Sequence, residues 1–415
     1  MTLRRGFALE LAGTFRAELA RTDIETLASA PFTGRRTGSE GHGKAVKWLA
    51  TRMSDLGLPV VLETFEIDRV IDVYQPPRLE ILDSDGGPAR RLALRSEMAE
   101  HPRSADTPEF RSGVARRLDA GSHDGAWVIL ETVPQGPDLD SLTTHLAGHG
   151  AIGILAPQHA GQDGFLAKRL MGGASVGLPV LAVRSDLLPT LNGQLVRARV
   201  PVRTRRMTGT NVIGKLRARD DAGGEPILLT AHFDGVGDDS ADTRLPAAAD
   251  NASGIAVLLE VARIVGASGG LSVPLWIGAV DAEELNALGS ADHARSLQAA
   301  GDRPSVLNLD MAGQFHGSVS VEAGAAAGDV VAALDRAGRH LGTPLQLGPV
   351  ASDNRRYAGA GFAAVGIGLG AAAYHSPADR PESVDDEALV VAGRLILATL
   401  AELEPKTGDP GQGRQ

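Results

Sequence analysis

The sequence predicts an α/β protein with a mostly parallel, helix-covered mixed sheet and a β-rich inserted domain. From about residue 206 onward, apolar segments of strand length alternate with segments of helical periodicity. Near-continuous apolar strands separated by helices are typical of a parallel sheet with both faces covered. Between residues 69 and 205, short β-like segments alternate with stretches rich in Arg, Asp and Pro. A structureless loop of that length is improbable, so this region is predicted to be a compact module.

The individual elements follow from periodicity and from turn residues. Near the N-terminus we expect two helices and a strand, with Ser39 at the start and Gly57 at the end of the second helix. The later predicted strands are EPILLTA, LSVPLWIGAV, PSVLNLD, GSVSVEA and FAAVGIGLG. The helices between and after them are NASGIAVLLEVARIVGA, NALGSADHARSLQAAG, DVVAALDRAGRHLG and DEALVVAGRLILATLAELE.

These elements predict a domain division. We expect residues 1–68 and 206–404 to form the two parts of one domain, and residues 69–205 to be inserted between them. Residues 405–415, rich in Gly and Pro, are predicted to be a disordered tail.

Composition narrows the function classes. The formal net charge is −10 with no basic block, which argues against a nucleic-acid partner. The chain has no cysteine, so any metal must be held by His, Asp and Glu. No apolar run is long enough for a membrane span, and no signal-peptide core is visible. We therefore expect a cytoplasmic protein, with secretion as the alternative if a signal has been removed; the oligomeric state stays open.

Candidate metal ligands follow the ends of the predicted strands, where open α/β sheets bind their ligands. They are His232 and Asp234, then Asp281, Glu283 and Glu284, then Asp310, then Tyr374 and His375, with Asp250 at the start of the helix after the first strand. Each of these alone is explained equally well as a helix cap or a satisfied structural residue. Together, so many carboxylates at one sheet edge would repel one another unless cations neutralise them. Oxygen and imidazole ligands suit zinc, manganese or cobalt.

Five motifs in order, HFD, ADNASG, DAEE, NLDM and YHSPAD, resemble the co-catalytic zinc aminopeptidase family. That family includes glutamate carboxypeptidases, glutaminyl cyclases and the transferrin receptor ectodomain. Residues 34–53 resemble its N-terminal segment, and the inserted module resembles a protease-associated domain by texture and position. The resemblance implies the zinc exopeptidase fold, of phosphorylase/hydrolase-like type, and a peptide or peptide-like substrate.

The resemblance also implies a set of metal ligands. Asp250 would bridge two zinc ions, with Mn²⁺ or Co²⁺ as alternatives. His232 and Asp310 would complete one site, and Glu284 and His375 would complete the other.

Three further roles are implied for residues that do not bind metal. Glu283 would be the general base and acid for a water shared by the two metals. Tyr374 would hydrogen-bond the developing oxyanion. Asp234 would orient His232, and Asp379 would orient His375 or cap a helix.

The predicted function is a metal-dependent exopeptidase, and first an aminopeptidase. The electronegative crevice favours a substrate with a free α-amine, whereas a carboxylate would need a basic clamp. Arg355 and Arg356 are the one basic pair near a site motif, in a segment, ASDNRRYAGAG, that departs from the family's usual Ser-Asp-His. Carboxypeptidase or amide-hydrolase activity on a small peptide-like molecule therefore stays open, and a glutaminyl cyclase-type transferase or a non-enzymatic binding protein is less favoured. We expect the inserted module to be non-catalytic, with His145 and His149 as surface residues.

Overall fold

The structure is a computed structural model, and it describes residues 9–119, 121–171, 173–219, 223–240 and 243–404. The predicted disordered tail, residues 405–415, lies outside these ranges. In chain order the strands are β1 (Val60–Val73), β2 (Arg78–Leu82), β3 (Pro88–Arg91), β4 (Met98–Glu100), β5 (Thr107–Arg117), β6 (Trp127–Ile129), β7 (Gly153–Gln158), β8 (Val180–Arg184), β9 (Leu195–Val200), β10 (Val202–Leu216), β11 (Ile227–His232), β12 (Leu275–Val280), β13 (Ser305–Leu309), β14 (Val319–Ala323), β15 (Leu345–Leu347) and β16 (Ala364–Gly368). The helices include α1 (Ala17–Leu27), α2 (Glu40–Asp55), α3 (Pro137–Gly148), α4 (Leu188–Leu191), α5 (Ser253–Ala267), α6 (Leu288–Ala300), α7 (Gly328–Leu341), α8 (Asn354–Gly359) and α9 (Asp386–Leu403).

The first sheet has the strand order β1-β10-β12-β11-β13-β16-β14-β15. Its four central strands, β12, β11, β13 and β16, are parallel. Strand β10 pairs antiparallel with both β1 and β12, and β14 pairs antiparallel with β16 but parallel with β15. The side chains of the central strands alternate between two apolar layers. Leu229 packs in the layer that contains α5 and α9, and Leu228 packs in the layer that contains α6 and Tyr357. The mostly parallel, helix-covered mixed sheet that the sequence predicts is confirmed.

The second sheet has the order β3-β2-β9-β5-β6-β7-β8-β4. All of its strands lie in the sequence between β1 and β10, which pair with each other along most of their lengths. The last pair of that ladder joins Val73 to Val202, so the chain leaves and re-enters the first sheet at one place. Trp127, fully buried, lies in the core of the second sheet.

Two predicted boundaries shift for identifiable reasons. Helix α5 begins at Ser253 rather than at residue 251, because Asp250 and Asn251 have non-helical backbone angles in the irregular turn before it. The peptide bond between those two residues is cis. The sequence also predicts one strand for LVRARVPVR, residues 195–203, but the structure divides it at Pro201, which has no amide hydrogen to continue a ladder.

The predicted start of helix α2 is confirmed, since the side chain of Ser39 accepts a hydrogen bond from the amide of His42. None of the helices within the described ranges combines the length and the apolarity that crossing a bilayer requires.

Candidate metal centre

The site lies at the carboxyl edge of the four parallel strands. Strand β11 ends on His232, and Asp310 directly follows β13. Glu284 and His375 lie in the loops after β12 and β16. Because these strands are neighbours and parallel, their carboxyl ends meet at one edge and bring the four side chains together.

Two groups of side chains there could each hold a metal ion, and they share Asp250. In the first group, His232 Nε2 lies 3.2 Å from Asp250 Oδ1 and 3.4 Å from Asp310 Oδ1. In the second group, His375 Nε2 lies 3.2 Å from Asp250 Oδ2 and 2.9 Å from Glu284 Oε1. The two oxygens of Asp250 therefore face different groups, as a bridging carboxylate requires.

The chemistry of these donors fits metal ions. Glu284 Oε1, Asp310 Oδ1 and His375 Nε2 are buried, and none makes a hydrogen bond of acceptable geometry, although oppositely charged atoms are near. Buried polar atoms are nearly always satisfied, so three such atoms at one place fit a site that binds a cation. Each group offers one imidazole and two carboxylates, a ligand set suited to zinc.

The pKa shifts of the side chains in this site also fit a site that binds cations. Burial disfavours the charged form of His232, but Asp234, Asp250 and Asp310 outweigh it and raise the pKa of His232 well above its ordinary value. For Glu284, burial is the main cause that raises its pKa. The carboxylates and the imidazoles in this buried cluster therefore depend on one another for their charge. Divalent cations would stabilise such a cluster of acids.

Asp234 and Asp379 hold the ligands in place from behind. The Asp234 carboxylate accepts hydrogen bonds from the amides of Glu283 (3.1 Å) and Glu284 (3.2 Å), and its Oδ1 lies 3.6 Å from His232 Nδ1. The Asp379 carboxylate accepts hydrogen bonds from the amides of Ala249 (2.7 Å) and Asp250 (3.2 Å). Neither role predicted for Asp379 is found, because it holds the backbone at Asp250 instead. Burial raises the pKa of Asp379 to about 7.

Asp281, one of the strand-end candidates, lies outside both metal groups. Its buried carboxylate accepts hydrogen bonds from Thr37 Oγ1 (2.9 Å), His42 Nε2 (2.7 Å) and the amide of Thr210 (2.7 Å). It therefore ties the N-terminal segment to the central sheet.

A cavity of about 570 Å³ opens beside the second metal group. Glu283, Glu284, Tyr374 and His375 line it, and the Tyr374 ring stacks on the His375 ring with centroids 3.7 Å apart. Tyr374 is 51% exposed as a whole residue and faces this cavity. Burial is the main cause that raises the pKa of Glu283 well above its ordinary value.

Three arginines, Arg355, Arg356 and Arg169, also line the cavity. Arg355 pairs with Glu322 (2.7 Å), and Arg356 donates to the backbone oxygen of Asn286. Sequence reasoning singled out the first two arginines but missed Arg169, which belongs to the inserted region.

The inserted region also contacts a metal-group residue directly. The Nδ1–H of His375 donates a hydrogen bond to the carbonyl oxygen of Lys168 (2.7 Å). Sequence spacing gave no sign of this contact, because 207 residues separate the partners and a backbone carbonyl leaves no residue-type signal. That the inserted module is non-catalytic stays a prediction; among the residues that the structure describes, the module supplies no side chain to either metal group.

Comparison with known proteins identifies the same part of the chain. The sequence model of peptidase family M28 matches residues 211–400, which include every residue of both metal groups. Residues 211–400 belong to peptidase family M28.

Relatives of this M28 region extend the likeness to most of the chain. Aminopeptidase YwaD of Bacillus subtilis (strain 168) is 26% identical over 310 residues, which make up 72% of this chain and 62% of that protein. The alignment thus spans less than two thirds of that relative.

Solved structures show the same fold. BSAP, a zinc aminopeptidase from Bacillus subtilis, superposes with a TM-score of 0.72 at 21% identity, over 96% of this chain and 97% of its own. An aminopeptidase from Aneurinibacillus sp. strain AM-1 superposes with a TM-score of 0.70 at 19% identity, over 94% and 95%.

Proposed function

We propose that this M28 protein is a zinc-dependent exopeptidase, an aminopeptidase that removes N-terminal residues from peptides with two metal ions. The observation that carries the proposal is the pair of metal groups that share Asp250 beside a cavity lined by Glu283 and Tyr374. The likeness of this chain to the aminopeptidases YwaD and BSAP supports it. A glutaminyl cyclase-type site with one metal is less favoured, because both groups are complete.

The proposed ligand roles follow from the distances. Asp250 would contribute one oxygen to each ion, His232 and Asp310 would complete the first site, and Glu284 and His375 would complete the second. Zinc fits the imidazole and carboxylate donors, with Mn²⁺ or Co²⁺ as chemically similar alternatives.

Two further side chains carry out the proton chemistry. When bound, the two ions supply a water of lowered pKa and polarise the scissile carbonyl. Glu283, whose raised pKa suits a group that accepts a proton, takes the proton of that water and delivers it to the leaving amine. The Tyr374 hydroxyl donates a hydrogen bond to the developing oxyanion. Asp234 fixes the backbone of Glu283 and Glu284 because its carboxylate accepts hydrogen bonds from both amides.

The second candidate is a carboxypeptidase, and the cavity's arginines favour it. Arg169, Arg355 and Arg356 line the space next to the second metal group and could bind a substrate carboxylate. Against it, Arg355 is already paired with Glu322, while Glu283 and Glu284 favour a cationic amine at the metal end of the cavity.

Two peptide pairs decide between these candidates. Zinc-loaded protein is assayed on peptides that differ only in N-terminal acetylation and on peptides that differ only in C-terminal amidation. The aminopeptidase proposal expects acetylation to abolish hydrolysis and amidation to leave it unchanged. The reverse pattern would establish the carboxypeptidase candidate and make Arg169, Arg355 and Arg356 the residues to substitute. No hydrolysis of any of the four peptides, or of aminoacyl anilides, would refute both.

We also propose that residues 69–205 form an inserted domain of the protease-associated type between the peptidase segments 1–68 and 206–404. The separate sheet between β1 and β10 supports this proposal. Expression of a chain in which a short linker replaces residues 74–201 tests it. The proposal expects the remaining sheet to fold, and failure of that chain to fold would contradict it.

A further inference from the structure

Residues 165–171, between β7 and β8 of the second sheet, reach across to the metal centre, and we name them the strap. One end is fixed to the second sheet. The amide of Leu166 donates to the carbonyl of Arg95 (2.6 Å), and the buried Leu166 side chain packs with Ala99 and Ala182. Gln158 Nε2 donates to the carbonyl of Ala167 (2.9 Å).

The other end of the strap contacts three sides of the site. The backbone of Lys168 forms two hydrogen bonds with His375: its carbonyl accepts from Nδ1–H (2.7 Å) and its amide donates to the His375 carbonyl (3.3 Å). Lys168 Nζ donates to the carbonyls of Gly237 (3.0 Å) and Asp238 (2.8 Å), in the loop that follows His232. Leu170 packs with Ala282 and Leu285, which flank Glu283 and Glu284.

A buried ion cluster fixes the same junction. Arg95 of the inserted region donates to both carboxylate oxygens of Asp239 (2.7 and 2.9 Å) and also pairs with Glu100. Arg95, Glu100 and Asp239 are all buried. Leaving one partner of such a cluster without the others is costly, so the loop after β11 and the inserted region are held together as one unit.

The contact between Lys168 and His375 has a direct chemical consequence. A carbonyl oxygen can only accept, so Nδ1 of His375 carries the hydrogen and Nε2 stays available toward Asp250 and Glu284. Hydrogen bonds of this kind orient metal-binding imidazoles, and their loss typically lowers metal affinity by about 10–100-fold. Here the orienting atom is on the backbone, and the buried Lys168 side chain, anchored at Nζ, holds that backbone in place.

We propose that Lys168 is a positioning residue through which the inserted region controls occupancy of the metal group formed by Asp250, Glu284 and His375. This rests on the proposed function only in taking that group to be a zinc site. It assigns the strap a task beyond lining the cavity: zinc bound at His375 and docking of the strap stabilise each other.

The first test compares Lys168→Met with wild type and with Lys47→Met, a matched change at an exposed lysine of α2. Zinc bound per full-length chain is measured across a series of buffered free-zinc concentrations. Lys168→Met is expected to weaken one of the two ions by about tenfold or more and leave the other unchanged. Lys168→Arg, which keeps a cationic donor, is expected to restore most of the affinity, and Lys47→Met to match wild type.

Equal affinities in Lys168→Met and wild type, or equal weakening of both ions, would overturn the proposal. If wild-type protein itself binds no zinc, the proposed function fails instead, so the two failures are distinguishable.

A second measurement needs no variant. Hydrogen–deuterium exchange of the wild-type protein with and without zinc should show slower exchange for the amides of residues 165–171 when zinc is bound, because the amide of Lys168 donates to His375. Identical exchange in the two states would contradict the coupling, whatever the folding behaviour of the Lys168 variants.

Discussion

At the scale of single residues, the adjacent acids Glu283 and Glu284 have separable tasks. Glu284 points its Oε1 at His375, whereas Glu283 lines the cavity and belongs to neither metal group. Glu283→Gln keeps the side chain's size but cannot carry the proton. We expect turnover to fall by about 10²–10⁴-fold with zinc content unchanged, as measured by steady-state kinetics and elemental analysis.

Glu284→Gln serves as the matched variant. It removes a charged ligand, so zinc content should fall first and activity should recover partly at high zinc concentration. If Glu283→Gln loses zinc and Glu284→Gln does not, the assignment of base and ligand is wrong.

That the five candidate ligands lie together could be predicted from sequence, because four of them stand at strand ends, Asp250 precedes the next helix, and their order matches a family pattern. His232, Asp250, Glu284, Asp310 and His375 all converge as expected. The residues that hold those ligands could not be predicted. Arg35 is the clearest case: a fully buried guanidinium that donates to the carbonyls of Phe233 (2.6 Å) and Ala247 (2.6 Å), which flank the loop between two ligands. Arg35 lies in the segment 34–53 that resembles the family, but neither its residue type nor its spacing predicts that it is buried against backbone carbonyls.

At the scale of elements, helix α5 depends on a close approach at its first turn. A Cβ added at Gly254 would lie 2.3 Å from Asn251 Oδ1 and 2.9 Å from the Leu309 carbonyl. Asn251 Oδ1 accepts from the amides of Gly254 (2.9 Å) and Met311 (3.2 Å), so it links the turn at Asp250 to the loop at Asp310. The small residues after Asp250 in the sequence predicted this approach, whereas the two-residue shift of the helix start, from residue 251 to Ser253, depends on contacts with β13.

Gly254→Ala should therefore disturb both the helix start and the ligands beside it. We expect the free energy of unfolding to fall by about 1–3 kcal/mol, as is typical of overpacking, and zinc affinity to fall with it. Gly266→Ala, at an exposed position near the end of the same helix with open space around it, is the control. It should leave zinc affinity unchanged and raise stability by about 0.4–1 kcal/mol. Chemical denaturation with and without zinc measures both effects, and equal behaviour of the two variants would contradict the packing argument.

At the scale of the whole molecule, the metal groups join all four central strands and the loops after them. Zinc that binds the folded protein alone should stabilise it by about 2.7 kcal/mol when free zinc is 100 times its dissociation constant. Removal of metal with a chelator should therefore lower the thermal unfolding midpoint, and added zinc should restore it. Asp250→Ala removes the carboxylate that both groups share, so this variant should show no zinc-dependent shift of the thermal unfolding midpoint. A zinc-dependent shift of wild-type size in Asp250→Ala would place the stabilising metal elsewhere.

The overall architecture was predictable because apolar strands alternating with helices permit few topologies. The pairing of β1 with β10, between which the second sheet is inserted, was harder to predict. These two strands are over 120 residues apart in sequence, so their pairing depends on a long-range contact. The junction formed by Lys168, Arg95 and Asp239 lies beyond sequence reasoning for the same reason.

The central claim, two metal ions bridged by Asp250, is tested most directly by counting zinc per chain. Elemental analysis of zinc-saturated wild-type protein should return two ions, and the double variant His145→Ala, His149→Ala should also return two. His145 lies on helix α3 and His149 directly follows that helix. Their ring centroids are 4.2 Å apart and they belong to neither metal group, so they serve as the control for adventitious binding. One ion per wild-type chain at saturating zinc, or loss of an ion in the double variant, would contradict the account.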